Sequence, residues 1–421
     1  MEVNKDMVIQ FIELQRRGLG LKKAEVNFDN CDWDILIRHS YRNKTTMLVN
    51  NAVNKERMNY DIDEHTLSDW NNLSRQLFFR GIRQLSRYKE IMKMLQDNDI
   101  KPVVLKGYAL AQLYPDIIQR YSSDLDIKFE ESDKKRVTQL FKDFGLKQDI
   151  DNSKDNVYIF YDDSISIEAH FTLWEDYEGR NIDVLRREHL DDPRTIIPVH
   201  LGESDIPDGY YGYTLGVTEH LILQMFHVIK HFILEGIEIR YMVDLTLFIN
   251  KYASEIDFDR FWRVMSDMEF EEYTVIYFSE CIKFFDMTEK ALNGRKFKLA
   301  DDEYAFLNDM MMVGKQSLDD TSSFSMLGIL GPYVNGGKRP AIDKKGRVLD
   351  ALFPSAENID KKYGYCKKYH CLLPVAWVHR ALRTIFMKIT RGNKVYGASD
   401  KIKGAEYRIS MMQNAGMLRE K

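Results

Sequence analysis

KPVVLKGYALAQLYPDIIQRYSSDLDIKF, residues 101–129, decides how the rest of this chain is read. Val103, Val104 and Leu105 read as an apolar strand ahead of Lys106 and Gly107. A short amphipathic helix follows and stops near Pro115, and a second strand carries Asp124-Leu125-Asp126-Ile127. Side chains alternate along a strand, so the two aspartates share one face while Leu125 and Ile127 enter the core. Neighbouring carboxylates repel unless something positive sits between them, and hard oxygen ligands of this kind suit Mg2+ or Mn2+. A solvated strand face is the bland alternative, and the triplet by itself does not separate the two.

The surroundings add to it. A Gly at the strand end, a helical turn and then R-x-x-S-D-L-D-I, Arg120 to Ile127, resemble the nucleotidyltransferases of the DNA polymerase β superfamily. In its L-K-G form, Leu105 to Gly107, the motif resembles the bacterial family known only as uncharacterised nucleotidyltransferases. Tyr108 stands where many members of the superfamily have Gly or Ser, which leaves Lys106 to act on the phosphates. The resemblance implies an NTP substrate such as ATP, Mg2+ or Mn2+ on Asp124 and Asp126, and nucleotide contacts from Lys106, Gly107, Arg120 and Ser123. For Arg120 a structural ion pair with a nearby aspartate is the other reading.

The resemblance also implies a third carboxylate on a neighbouring strand. Val157 to Tyr161 and Ser164 to Phe171 read as a hairpin across Asp162-Asp163. In the second arm Ile165, Ile167, Ala169 and Phe171 alternate with Ser166, Glu168 and His170, so Glu168 faces away from the core. Asp124, Asp126 and Glu168 would then converge on one side of a sheet, as catalytic and metal-binding residues.

At 421 residues the chain can bury a large core and hold two or three domains. A net charge of −5 restricts little. Cys31, Cys281, Cys366 and Cys371 have no zinc spacing, and a reduced cytoplasmic protein is the simple reading. Glu2, Lys5 and Asp6 interrupt any signal peptide, and His379, Arg380, Arg383 and Lys388 interrupt the most apolar late segment, so no transmembrane segment is expected.

Residues 1–100 read as a helical support. Val8, Phe11 and Ile12 start one amphipathic pattern, and Leu67, Leu73, Leu77, Phe78, Ile82, Leu85, Ile91, Met92 and Leu95 make a stronger one. No chemistry is visible in it. Residues 101–205 form the nucleotidyltransferase core, including a helix capped by Ser132 with Val137, Leu140, Phe141 and Phe144 inward and Gly145 at its stop. The fold class expected is α+β, a small mixed sheet between N-terminal and C-terminal helical regions.

In 206–421, Thr218 caps a helix whose stripe is His220, Gln224, His227 and His231. It lacks the glutamate of H-E-x-x-H zinc helices. Buried histidines paired with backbone or Asp244 are one reading. The other is a cleft lined by His227, Lys230 and His231, which the resemblance of the H-x-x-K-H segment and Arg240 to Leu245 to the family implies. A Gly-rich stretch at 317–347 fails as a Walker motif because Pro332 and Arg339 stand where Gly and Ser or Thr are needed. It reads as a lid or a linker. Pro374, Trp377 and Arg380, after Phe353-Pro354-Ser355, also resemble the family. Residues 361–410 hold twelve Lys or Arg against two acidic residues, a basic face that is either merely solvated or meets an anionic partner.

The function implied is metal-dependent transfer of NMP from an NTP to a hydroxyl acceptor, with release of pyrophosphate. The acceptor, whether small molecule, protein or RNA, is left open. So are an inactive nucleotide- or RNA-binding scaffold and a toxin-like enzyme acting on protein or tRNA.

Overall fold

The computed structural model describes residues 5–57, 60–154, 156–173, 182–201, 210–234, 236–300, 304, 306–307, 310–311 and 365–379. Among the described residues of the first hundred are α1 (Lys5–Gly18), α2 (Trp33–Arg42), α3 (Thr46–Lys55) and α4 (Glu64–Asp97). Asp32 and Asp63 cap α2 and α4 by accepting from Ile35 N and Thr66 N, supplying partners that a first turn lacks. The long α4 buries a narrow line of Trp70, Leu77, Gly81, Gln84, Tyr88, Ile91, Met92 and Leu95. Phe78 and Ile82, expected on the inner face, are exposed, because the helix is covered along one stripe only. Gly81 lets α4 close on the chain ahead of Arg120: a Cβ there would lie 2.8 Å from Ile118 Cγ2.

The second half of α4 lies on a seven-stranded sheet of order β3-β4-β5-β2-β1-β7-β6. Its strands are β1 (Val103–Val104), β2 (Leu125–Lys128), β3 (Lys147–Lys154), β4 (Val157–Tyr161), β5 (Ser166–His170), β6 (Ile197–His200) and β7 (Tyr210–Thr214). Between β1 and β2 comes the short α5 (Tyr108–Ala111), and after β2 comes α6 (Lys134–Asp143). Tyr88, Ile91, Met92 and Leu95 of α4 meet Val104, Leu125 and Ile127, while Val137 and Phe141 of α6 join the same core. Fully burying a side chain of this size stabilises the fold by roughly 2 kcal/mol. Ser132 does not cap α6. It sits inside a 3-10 turn, Glu131–Asp133, that precedes the helix, and Asp133 takes the cap position without a side-chain hydrogen bond.

The hairpin at Asp162-Asp163 forms as expected, with Asp162 Oδ1 accepting from Ser164 N and Ile165 N. β3 was not anticipated, since KQDIDNSK has no alternation and occupies the sheet edge. The sheet also runs past the boundary expected near residue 205, because β7 pairs in parallel with β1 at Val103↔Tyr213.

α7 (Ile182–Glu188), α8 (Val217–Leu234), α9 (Ile239–Tyr252), α10 (Phe258–Asp267) and α11 (Glu271–Phe285) build a second core shared with α1 to α3. Thr218 lies within α8 and not at its cap; its hydroxyl accepts from Asp257 N at 2.9 Å and ties α8 to α10. The architecture is therefore α+β, a mixed sheet flanked by helices from both sides of the sequence. Among the described residues no helix is long and apolar enough to cross a membrane, and all four cysteines are free thiols. The Gly-rich stretch 317–347, and the basic region 361–410 apart from residues 365–379, lie outside the described residues.

Candidate active site

Everything at this site hangs on the register of three strands. β1 is antiparallel to β2, and Leu105 N donates to Asp126 O at 3.0 Å, which sets Lys106 beside Asp126. β2 is parallel to β5 with Asp126↔Glu168 and Lys128↔His170 as paired positions. Paired residues on adjacent strands project to the same face, so the alternation read in each strand separately delivers both carboxylates to one place.

The turn into β2 is held from several directions. Gly107 has φ +55°, and a Cβ there would lie 3.0 Å from Leu125 Cδ2. Its carbonyl accepts from Arg120 Nη1 at 3.1 Å. Arg120 also forms a bidentate pair with Asp244 of α9, Nε and Nη2 each 2.8 Å from a carboxylate oxygen, and Tyr114 donates to the same Asp244. Arg240 Nη1 donates to Tyr121 O, and Gln84 Nε2 of α4 donates to Ser122 O. The loop therefore arrives at Asp124 with its backbone already fixed.

Asp126 is 8% exposed and has two partners: Lys106 Nζ at 3.0 Å from Oδ2 and His170 Nε2 at 3.1 Å from Oδ1. Burial by itself would raise its pKa, but the charge of Lys106 and then the His170 hydrogen bond outweigh it and hold the carboxyl well below its usual range. Glu168 lies 3.6 Å from the same His170 nitrogen. Its pKa is raised, first by burial and then by the charges of Asp126 and Asp124. Asp124 stands at the mouth of β2, half-buried, accepting from Ser123 Oγ at 2.6 Å. One ligand atom each from Asp126, Glu168 and His170 fall within 4.8 Å of one another.

A helix closes the other side. His227 of α8 lies against Lys106, its Nδ1 and Nε2 at 3.2 and 3.3 Å from Nζ. Burial, then Lys106 and His231, push the His227 pKa well below normal, so a neutral ring meets the lysine. His227 and His231 sit edge to face at 4.3 Å, and Tyr241 of α9 completes the aromatic group at 5.3 and 5.6 Å. Lys230 lies close enough to act on His227 electrostatically. His220, at the far end of the stripe, is fully buried against Thr214 and Phe248, and burial lowers its pKa to about 4.

The structure thus brings Lys106, Asp124, Asp126, Glu168, Ser123, His227 and His231 together. Arg120 is spent on Asp244 and Gly107, and Asp244 serves Arg120 and Tyr114 where the buried-histidine reading had it pairing with the stripe. Tyr108 is buried against Tyr88 at 4.5 Å and acts as core. Two site residues escaped the sequence reading. His170 was seen on the polar face of β5 but given no role, although its spacing of two from Glu168 was a usable signal. Lys44, between α2 and α3, had no signal at all; its Nζ lies 3.4 Å from Ser123 Oγ and 3.5 Å from Glu238 Oε1, and burial, then Arg240, lower its pKa.

The mixed sheet thus presents paired acids beside a lysine turn built on a left-handed glycine. The family described as "Uncharacterised nucleotidyltransferase" matches residues 29–286, more than half of the chain, and the chain belongs to it. The match spans α2 to α11 and so includes helices on both sides of the sheet. A search of curated proteins returned no match.

Proposed function

We propose that the protein transfers an NMP group from an NTP to a hydroxyl acceptor in a divalent-metal-dependent reaction. The observation that carries this reading is the paired register of Asp126 and Glu168 on adjacent parallel strands, with Asp124 at the strand mouth. The carboxylates fit a small hard cation, since their oxygens suit Mg2+ or Mn2+. Asp124, Asp126 and Glu168 would hold the metal, which when bound would neutralise phosphate charge and acidify the acceptor hydroxyl.

The chain's own residues then have distinct tasks. The acceptor oxygen bonds to the α-phosphorus, the bond to the β-phosphate oxygen breaks, and its electron pair leaves on pyrophosphate. Glu168, or the metal-bound environment beside it, takes the acceptor proton. Lys106 exchanges Asp126 for a phosphate oxygen, and Gly107 leaves room for the phosphate to approach the backbone. Ser123 orients Asp124. His227, His231 and Lys230 line the nucleotide or acceptor side of the cleft. Arg120 positions the turn through Asp244.

Calorimetric titration of each of the four NTPs, with and without Mg2+, tests the reading against the Asp124→Asn/Asp126→Asn double variant. Binding that requires both metal and aspartates is expected. Binding indifferent to both would replace transfer with a scaffold role.

A further inference from the structure

Helix α2 ends in a way that ordinarily takes glycine. Thr45 N donates to Ser40 O at 2.8 Å and Lys44 N to Tyr41 O at 3.1 Å, closing the helix around a residue in the left-handed conformation. That residue is Lys44, with φ +56°. A side chain there costs on the order of 1 kcal/mol relative to glycine. The strained stop is also anchored to the catalytic body, since Asn43 Oδ1 accepts from Ile239 N at the start of α9. The side chain is only 25% exposed and points to the mouth of β2, yet its polar contacts, to Ser123 Oγ and Glu238 Oε1, are both long, at 3.4 and 3.5 Å. Glu238 is in turn 3.1 Å from Arg240 Nη2, so its charge is shared. A lysine is thus held at an unfavourable backbone position, close to Ser123-Asp124, with its ion pair to Glu238 long and shared with Arg240.

We propose that Lys44 binds the β- and γ-phosphates of the NTP and, after transfer, the leaving pyrophosphate. The inference rests on the nucleotidyl-transfer reading and deepens it, placing the polyphosphate tail between the α2–α3 turn and Ser123-Asp124. Lys106 has different partners, Asp126 and His227. The two lysines thereby take different parts of the substrate, Lys106 the α-phosphate and Lys44 the leaving group. The α2–α3 turn becomes part of the substrate site, and ligand binding pulls Lys44 away from Glu238.

The backbone conformation makes a clean test available. Lys44→Gly relieves the left-handed strain, so the full-length variant should melt at or above the wild-type temperature. Calorimetry with Mg2+ and inorganic pyrophosphate should show affinity reduced by about tenfold, the scale of one charge-assisted hydrogen bond. NMP binding should be unchanged, Lys44→Arg should restore pyrophosphate binding, and Glu238→Gln should hold or strengthen it. Equal pyrophosphate affinity in wild type and Lys44→Gly overturns the proposal while leaving nucleotidyl transfer intact. Wild-type protein that binds neither NTP nor pyrophosphate overturns the transfer reading and this proposal with it.

Discussion

Two cations of the same short motif, Arg120 and Lys106, enter acid–base pairs of opposite design. Arg120 and Asp244 are both almost completely buried, joined by two parallel 2.8 Å hydrogen bonds, with Tyr114 and the Gly107 carbonyl taking up further valences. Lys106 and Asp126 meet through one contact from a point charge, with His227 and His170 as alternative partners on each side. A planar guanidinium matched to a carboxylate is a latch, and an ammonium sharing its charge among several neighbours can be exchanged. The difference separates what holds the turn from what the turn presents. It also explains why a sequence position near the D-x-D strand is no guide to whether a cation meets substrate.

Several variants sharpen or break that contrast. The largest effect is expected from Asp126→Asn, which should lower turnover on the order of 10^3-fold or more, since metal stabilisation of charge is worth several kcal/mol. A folded variant retaining turnover in single-turnover assays would remove Asp126 from the chemistry. Arg120→Ala should instead destabilise the fold by about 3–5 kcal/mol, because it strands the buried Asp244 carboxylate. Denaturant unfolding reads this directly, and a loss below 1 kcal/mol would deny the latch.

The buried end of the α8 stripe gives the next effect. With its pKa near 4 in the fold against an ordinary 6.5, His220 takes a proton more readily when the chain unfolds. Stability is therefore full above pH 6.5 and falls as pH drops toward 4, by on the order of 3 kcal/mol for this group. His227, shifted in the same direction, adds to the slope. Urea melts between these pH values check it, and His220→Gln should flatten the dependence. The smallest change is expected from Lys106→Met: about 1 kcal/mol in stability, since Asp126 keeps His170, but a clear loss of NTP affinity. A large drop in stability would make Lys106 a second latch.

Much of the site was legible because strand alternation is local. Asp126 and Glu168 were each assigned a face from their own neighbours, and the hairpin turn was marked by Asp162. Phe78 and Ile82 misled because helical periodicity shows an apolar side but not how wide a stripe the partner covers. β3 was invisible because an edge strand of polar residues has no pattern to display. The histidine stripe was found, yet periodicity could not say that its two ends have different surroundings, with His220 sealed against Phe248 and His227 opposite Lys106.

The sequence by itself determined the strand–turn–strand unit, the carboxylates on its face and the helical elements around it, because these follow from backbone periodicity and turn chemistry over a few residues. Only the tertiary structure decided which cation does what. Arg120 finds Asp244 across 124 residues, Lys106 finds His227 across 121 and Lys44 finds Ser123 across 79. A charge's task depends on which opposite charge lies within a few ångströms and how far water is excluded, and packing sets both.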